Sequence, residues 1–407
     1  MFTAVTPDCS PTASLRVAAP PAVDVVVIGA GIVGACTALA AVRAGLTVAV
    51  LDRGPLAGGT TGAGEGNLLV SDKPPGPELR LALFSLDCWA EIAGHLGDLN
   101  GLPDGGFELE SKGGLMVATD DRSLGSLTSL ATGQAVAGVQ VQPLGPDELR
   151  QHEPHLAGDL AGGVRYAQDA QLQPMLATAR ILAAARAHGV RVHPGTAVTG
   201  LLRSGERVAG VRTAHGSIAA GAVVNAAGTW GGEVAALAGV HLPVLPRRGV
   251  ILVTQPLPVL IRHKVYAAEY VSDVASEDPG LESSAVVEGT RSGTILIGAS
   301  RERVGFDPAM PVPVLRRLAR QAIRLFPVLG QVRLLRSYRG FRPYCPDHLP
   351  VIGADPRAPG LLHACGHEGS GIGLAAATGA LLAQILTGAA PQVDLDAFRP
   401  ERFEPAA

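Results

Sequence analysis

"VVVIGAGIVGACTALAAV", residues 25–42, is a run of eighteen residues without a charge. That is just long enough for a membrane helix, but its glycines set a different reading. Val23 to Ile28 is mostly β-branched and ends in turn residues, and Gly31 to Ala44 is rich in alanine and other helix formers, so the order is strand, tight turn, helix. The turn Gly29-Ala30-Gly31-Ile32-Val33-Gly34 is a G-x-G-x-x-G. Its glycines serve a sharp turn, the approach of a pyrophosphate to backbone N–H groups, and close packing of helix on strand. The phosphates then lie on the positive end of the helix. After Gly45 a second strand, Thr47 to Leu51, ends at Asp52, twenty-three residues past Gly29, where a carboxylate takes the ribose hydroxyls of an adenosine. Arg43 ends the apolar run and a polar chain follows, which argues against a membrane span. The residues point to a dinucleotide and leave NAD and FAD both open.

A chain of 407 residues with 47% hydrophobic and 17% charged residues can bury a large core and divides more naturally into two domains than one. With 33 basic against 36 acidic residues the net charge of −3 creates no field favouring nucleic acid or an anionic membrane. Cys9, Cys36, Cys88, Cys345 and Cys365 show no paired spacing, which suits a reducing compartment and a cytoplasmic location. Residues 1–21 lack a cationic segment followed by an apolar one, so they read as a disordered leader and not a signal peptide.

Further segments narrow the choice of dinucleotide. "GGTTGAGEGN" (Gly58 to Asn67) is a glycine-rich loop able to wrap a pyrophosphate or to lie on the surface. An amphipathic helix over Pro174 to His188 leads to a strand, Val190 to His193, and to "GTAVTGL" around Val198. A strand Val223 to Asn225 runs into Ala226-Ala227-Gly228, small residues that let a ligand approach or simply end a strand. "RGFRPYCPDHLPVIG" (Arg339 to Gly353) and "GLLHACGHEGSGIGLAAATGALLAQIL" (Gly360 to Leu386) complete the set, the last with a helix from Leu374 to Leu386.

In this order the segments resemble the D-amino-acid oxidase superfamily of FAD enzymes, over about residues 22–390. That group includes glycine oxidase, sarcosine oxidase, D-amino-acid dehydrogenase and the flavin subunits of opine and hydroxyproline dehydrogenases. The GHEGSGIGLA form is most similar to the dehydrogenase flavin subunits and the hydrogen cyanide synthase type. The resemblance implies an α/β fold with an α+β second domain: a Rossmann-like FAD-binding domain and a discontinuous substrate domain with a mostly antiparallel sheet. The FAD-binding segments would be 22–90, 160–240 and 335–390, the substrate domain 91–159 and 241–334, and 391–407 a docked or disordered tail.

It also implies roles for particular residues. The FAD pyrophosphate would lie on Gly29, Ala30, Gly31, Ile32, Val33 and Gly34, and the ribose on Asp52 beside Arg53. Relatives more often have Glu at the ribose, so Asp52 needs it slightly closer. Thr60 and Thr61 would reach the phosphates, Gly66 and Asn67 the isoalloxazine, and the Val198 backbone the adenine. Ala227, Gly228, Trp230, Gly340, Gly366 and His367 would line the cofactor. Gly369, Ser370, Gly371 and Ile372 precede the helix Leu374 to Leu386, whose positive end would face the flavin N1–C2=O edge; a start capped by Ser370 is the plainer reading. Relatives with a covalent flavin carry a cysteine seven residues before the "PD" aspartate. Gly340 holds that position here, so FAD is expected without a covalent link, and Cys345 as packing.

Arg342 offers a planar fork for a substrate carboxylate, or else a salt bridge to Asp347 or a domain interface. Tyr270 or Tyr266 could place a hydroxyl over the substrate. His363, Cys365 and His367 alternate as metal ligands on a strand would, but no fourth ligand lies nearby and no metal is expected. His367 either shapes the flavin and substrate face or is a buried, hydrogen-bonded histidine. Glu65 departs from the family's small residue: facing the pocket it implies a more cationic or polar substrate, and a surface orientation is equally open.

The implied reaction passes a hydride from the carbon alpha to an amine nitrogen onto flavin N5, giving an imine; a neutral amine supplies the push, so no strong base is needed at carbon. Oxygen, or an electron-accepting partner subunit, then takes the electrons. Nucleic acid and an integral membrane span are not expected. An NAD-dependent dehydrogenase and a flavin-holding subunit without a substrate site are the rival classes.

Overall fold

The computed structural model describes residues 22–269 and 280–403. Along the strand Val23–Ile28, Val25 and Val27 face one apolar cluster while Val26 and Ile28 face another. Both faces are covered, which is why the strand reads as an unbroken apolar run instead of alternating. It is central in the first of two eight-stranded sheets. Gly216–Asn225 and Val48–Leu51 flank it in parallel, Leu361–Cys365 and Arg191–His193 extend the parallel set, and Val351–Ala354 adds an antiparallel edge. Ile28 lies opposite both Leu51 and Asn225, and Asn225 opposite His363. The carboxyl ends of the core strands therefore fall in line, and the crevice beyond them is where such sheets take ligands.

Three helices cover one face of this sheet, Ile32–Arg43, Pro174–Ala187 and Gly371–Leu386, and a fourth, Pro77–Asn100, packs on the last of them through Ser85 and Trp89. The first and third cross so closely that a Cβ at Gly379 would stand 2.6 Å from the carbonyl carbon of Cys36. Two helices remote in sequence are thereby held with their amino ends at the same edge of the sheet.

The second sheet runs in the order Leu334–Tyr344, Leu245–Thr254, Ile295–Arg301, Glu282–Gly289, Lys264–Ala267, Gly114–Ala118, Gly162–Tyr166, Val141–Leu144. Every neighbouring pair is antiparallel except Lys264–Ala267 with Gly114–Ala118. The helix Val312–Leu325 packs beneath it on a separate apolar cluster. Two strands differ from the segment boundaries read from sequence: Gly162–Tyr166, and Leu334–Tyr344 from residue 335 on, fall in stretches read as FAD-binding domain, yet both hydrogen-bond in the second sheet. An apolar run of strand length does not reveal which sheet supplies its partners. The long strand Leu334–Tyr344 delivers Gly340, Phe341 and Arg342 to the crevice of the first sheet, where the Phe341 carbonyl accepts from Thr60 Oγ1 at 2.7 Å and Thr229 Oγ1 at 2.8 Å.

Past residue 391 the chain turns back on the molecule up to residue 403. Phe398 is fully buried, and Arg402 donates to Asp347 at 2.6 Å and to the Leu349 carbonyl at 2.8 Å.

Candidate active site

The turn after Val23–Ile28 is built as its glycines require. Gly29 has φ +114°, and a Cβ there would overlap the Ala226 carbonyl oxygen; one at Gly34 would overlap the carbonyl oxygen of Gly29 itself. Asp52 fastens the turn from the next strand, accepting from the Ala30 N–H at 2.7 Å and the Gly54 N–H at 2.8 Å. The first helical N–H, that of Ile32, goes to Thr61 Oγ1 at 3.1 Å, in place of a side-chain cap from Gly31.

A cavity of about 450 Å³ opens between the two sheets, and both helix beginnings line it: Gly31, Ile32 and Val33 on one side, Gly369, Gly371 and Ile372 on the other. The second helix starts at Gly371, three residues ahead of the Leu374 read from sequence, so Gly371 to Gly373 form its first turn. Ser370 makes no side-chain cap to it. Asp52, Arg53, Thr60, Thr61, Val198, Ala227, Gly228, Trp230, Gly340 and His367 also line the cavity. The Arg53 guanidinium sits 3.9 Å over the Trp230 ring, which stacks on Phe306 at 5.2 Å.

Five residues read as cofactor-binding lie off this cavity. The Ala30 side chain is buried in the core, and Gly34 packs on Gly29. A Cβ at Gly66 would overlap the Leu172 carbonyl oxygen, and one at Gly366, where φ is +74°, the Cys345 sulfur. Ser370 faces Glu78. Glycine in a loop signals close approach, but to a ligand and to a neighbouring backbone alike. Tyr266 is likewise turned away: fully buried, it donates to Asp169 Oδ2 at 2.7 Å and also contacts Ser71. Tyr270 lies outside the described residues.

The alternating His363, Cys365 and His367 have separate partners. His363 sits between Asn225 Nδ2 and Asp355 Oδ2, both at 3.1 Å. Buried Cys365 lies against Gly231, where a Cβ would stand 2.7 Å from its sulfur. His367 is buried, with Nε2 3.0 Å from Thr378 Oγ1. Because the Thr378 hydroxyl donates to the Leu374 carbonyl at 2.8 Å, it accepts from His367, fixing the Nε2–H tautomer. Burial drives the His367 pKa down to about 4. The unfolded chain, with a histidine near 6.5, then binds the extra proton between about pH 6.5 and 4, so this residue makes stability fall with acidification across that window, by of order 3 kcal/mol in full. Urea unfolding at pH 7 and pH 4.5 is expected to show a steeper loss in wild type than in His367→Gln; equal losses overturn the assignment.

At the other end Arg342 is half-buried, its Nη1 donating to the Ser300 carbonyl at 2.8 Å. The alternative partner Asp347 is taken by Arg402. Beside Arg342 the sequence reading missed a buried group. Lys264 contacts Glu288 and Asn67, with Glu65 Oε2 3.8 Å away; Glu65 Oε2 accepts from Asn67 Nδ2 at 3.2 Å. Glu65 is 7% exposed and lines the cavity, which settles its orientation. Glu368, also on the cavity wall, accepts from Arg247 at 2.5 Å and pairs with His348 at 2.9 Å.

These residues fit an FAD. Two helix beginnings whose own N-cap residues, Gly31 and Ser370, make no side-chain cap, and a glycine-lined wall, offer N–H groups and bare backbone to a pyrophosphate at one end and to a ring at the other. Residues 24–385 match the model of the family described as FAD dependent oxidoreductase. The chain belongs to that family. Over 327 residues, 80% of this chain and 74% of the relative, it is 33% identical to the hydrogen cyanide synthase subunit HcnC of Pseudomonas aeruginosa. It is 32% identical to the bifunctional protein ThiO/ThiG of Trichormus variabilis over 94% of this chain and 56% of that protein. The crystal structure of glycine oxidase from Geobacillus kaustophilus superposes with a TM-score of 0.85 at 27% identity, over 95% of this chain and all of the other. This FAD-dependent oxidoreductase has, among the described residues, no helix long and apolar enough to cross a membrane.

Proposed function

We propose that this protein oxidises the C–N bond of an amino acid or related secondary amine. The observation that carries the reading is the pairing, on one cavity, of two helix amino ends with the Arg342 guanidinium. Bound FAD supplies the two-electron acceptor for a hydride from the alpha carbon. Arg342, steadied by the Ser300 carbonyl, holds the substrate carboxylate. The Gly371–Leu386 helix presents its first-turn N–H groups where negative charge develops, and neutral His367 packs behind that turn without adding charge. Ala227 and Gly228 keep the cavity wall small where a ring would lie.

Two kinds of relative support this reading: glycine oxidases, and HcnC, a subunit of a larger enzyme. The HcnC likeness favours a second form of the proposal, in which a partner subunit takes the electrons and oxygen does not. A cytoplasmic location accompanies both forms. Anaerobic mixing of the holoenzyme with glycine, sarcosine, proline, hydroxyprolines, D-amino acids and opines is expected to bleach the flavin with at least one of them. Peroxide yield against reduction of an artificial acceptor then separates oxidase from dehydrogenase. No bleaching by any amine, with an intact flavin spectrum, overturns the reading.

A further inference from the structure

Two neighbouring antiparallel strands of the second sheet carry glycines beneath the charged end of the cavity. A Cβ at Gly249 would overlap Arg342 Nη1, and a Cβ at Gly298 would overlap Glu65 Oε1. The floor is thus shaped around one cation and one anion. The anion is incompletely satisfied: Glu65 Oε2 has Asn67, but buried Oε1 has no hydrogen-bond partner among the described residues. Nor does Lys264 neutralise Glu65 alone, since it also contacts Glu288. Leaving a buried carboxylate oxygen without a donor is costly. A donor that arrives with the substrate removes that cost once the carboxylate turns Oε1 from Gly298 toward the cavity that Glu65 lines.

An amino acid held at Arg342 by its carboxylate carries its ammonium group one carbon away, on the same floor. We infer that Glu65 receives that ammonium group and takes its proton. This rests on the amine-oxidising reading and deepens it. In the step an N–H bond of the ammonium breaks and an O–H bond forms on Glu65; the electron pair stays on nitrogen, Glu65 goes from −1 to neutral, and nothing is oxidised or reduced. The lone pair so released is what loss of hydride from the adjacent carbon requires, so no base is needed at carbon. The groups facing Glu65 are Lys264, Glu288, Arg342 and Tyr338. Burial and Glu288 make Glu65 a better proton acceptor than an exposed carboxylate, while Lys264 and Arg342 oppose them; the balance is upward. The substrate class follows: zwitterions whose ammonium carries at least one N–H, and not quaternary amines.

The experiment uses holoenzyme and whichever panel amine bleaches wild-type flavin anaerobically. In Glu65→Gln the bleaching rate per substrate concentration at pH 7 is expected to fall about a hundredfold. It should recover as pH rises toward the amine's own pKa, where solution supplies the neutral form. A readout independent of turnover is binding, followed by the flavin absorbance shift. α-Aminoisobutyrate, which has no alpha hydrogen, should bind at least tenfold more weakly to the variant, and isobutyrate, which has no nitrogen, equally to both. A loss that is the same at every pH, or the same for both ligands, marks a packing role and overturns the inference. Should Glu65→Gln fail to hold flavin, wild type alone decides: a bleaching rate that tracks the free-amine fraction overturns the inference, and one that stays flat well below the amine's pKa supports it. If no amine bleaches wild type, the parent reading fails and this one with it, an outcome distinct from the others.

Discussion

Gly29→Ala is expected to yield protein that purifies without flavin and melts well below wild type. At φ +114° the residue occupies a region that side chains with a Cβ rarely adopt, and the added methyl would overlap the Ala226 carbonyl oxygen, 2.8 Å from its carbon. Neither partner can yield easily. The Ala226 N–H donates to the Ile28 carbonyl at 2.9 Å, and the Gly29 N–H to the Leu51 carbonyl at 2.7 Å, so the turn is pinned to both neighbouring strands. Backbone strain of about 1–3 kcal/mol and overpacking of about 1–3 kcal/mol together reach roughly 2–6 kcal/mol. Relief requires moving the beginning of the Ile32–Arg43 helix, which lines the cavity, so flavin occupancy and stability should fall together. Gly45→Ala is the control: φ is +87°, but a Cβ there meets nothing within 4 Å. It should cost about 1–2 kcal/mol and keep its flavin. Visible flavin absorbance per protein and thermal melts of the two variants are the measurement. Full occupancy with an unchanged melting temperature in Gly29→Ala removes the account of this turn.

What could be read in advance was what the backbone dictates locally. The strand, turn, helix and Asp52 lie within thirty residues, and each carries a conformational requirement that residue type expresses directly. The second helix beginning was legible for the same reason, though its first residue was not, because Gly371 to Gly373 have poor intrinsic helix propensity and enter the helix through packing, as Gly379 against Cys36 shows. Side-chain direction was harder. Tyr266 faces Asp169 because its strand pairs with Gly114–Ala118, and no local pattern reports that partner. The charged floor was invisible as a unit, since Glu65, Lys264 and Glu288 come from three distant segments and Arg342 from a fourth. Glu65 alone stood out, as a charge where the family has a small residue, and only the fold chose between pocket and surface. Gly249 and Gly298 gave no warning at all: within strands they look like weak β formers, and their purpose appears only when the side chains above them are placed.

Arg342→Ala should lower kcat/KM for a carboxylate-bearing amine about a thousandfold, close to 4 kcal/mol of transition-state stabilisation, while leaving flavin content unchanged. The two halves of that expectation have different physical origins. Flavin retention does not depend on the side chain, because the strand is clamped through its backbone, with the Phe341 carbonyl accepting from Thr60 and Thr229. Substrate anchoring is expected to depend on it, because the guanidinium is already oriented by the Ser300 carbonyl and meets a carboxylate with little further ordering. Arg342→Lys keeps the charge but loses the fork and should recover only part of the loss. The chemistry supplies an internal control: an amine without a carboxylate is expected to react poorly with wild type and to be nearly indifferent to the substitution. If the protein were only a flavin-holding relay, Arg342→Ala would leave the activity of its assembly unchanged. An equal loss for amines with and without a carboxylate would instead mean that the guanidinium supports the cavity wall against Glu65, and the anchor would have to be sought elsewhere.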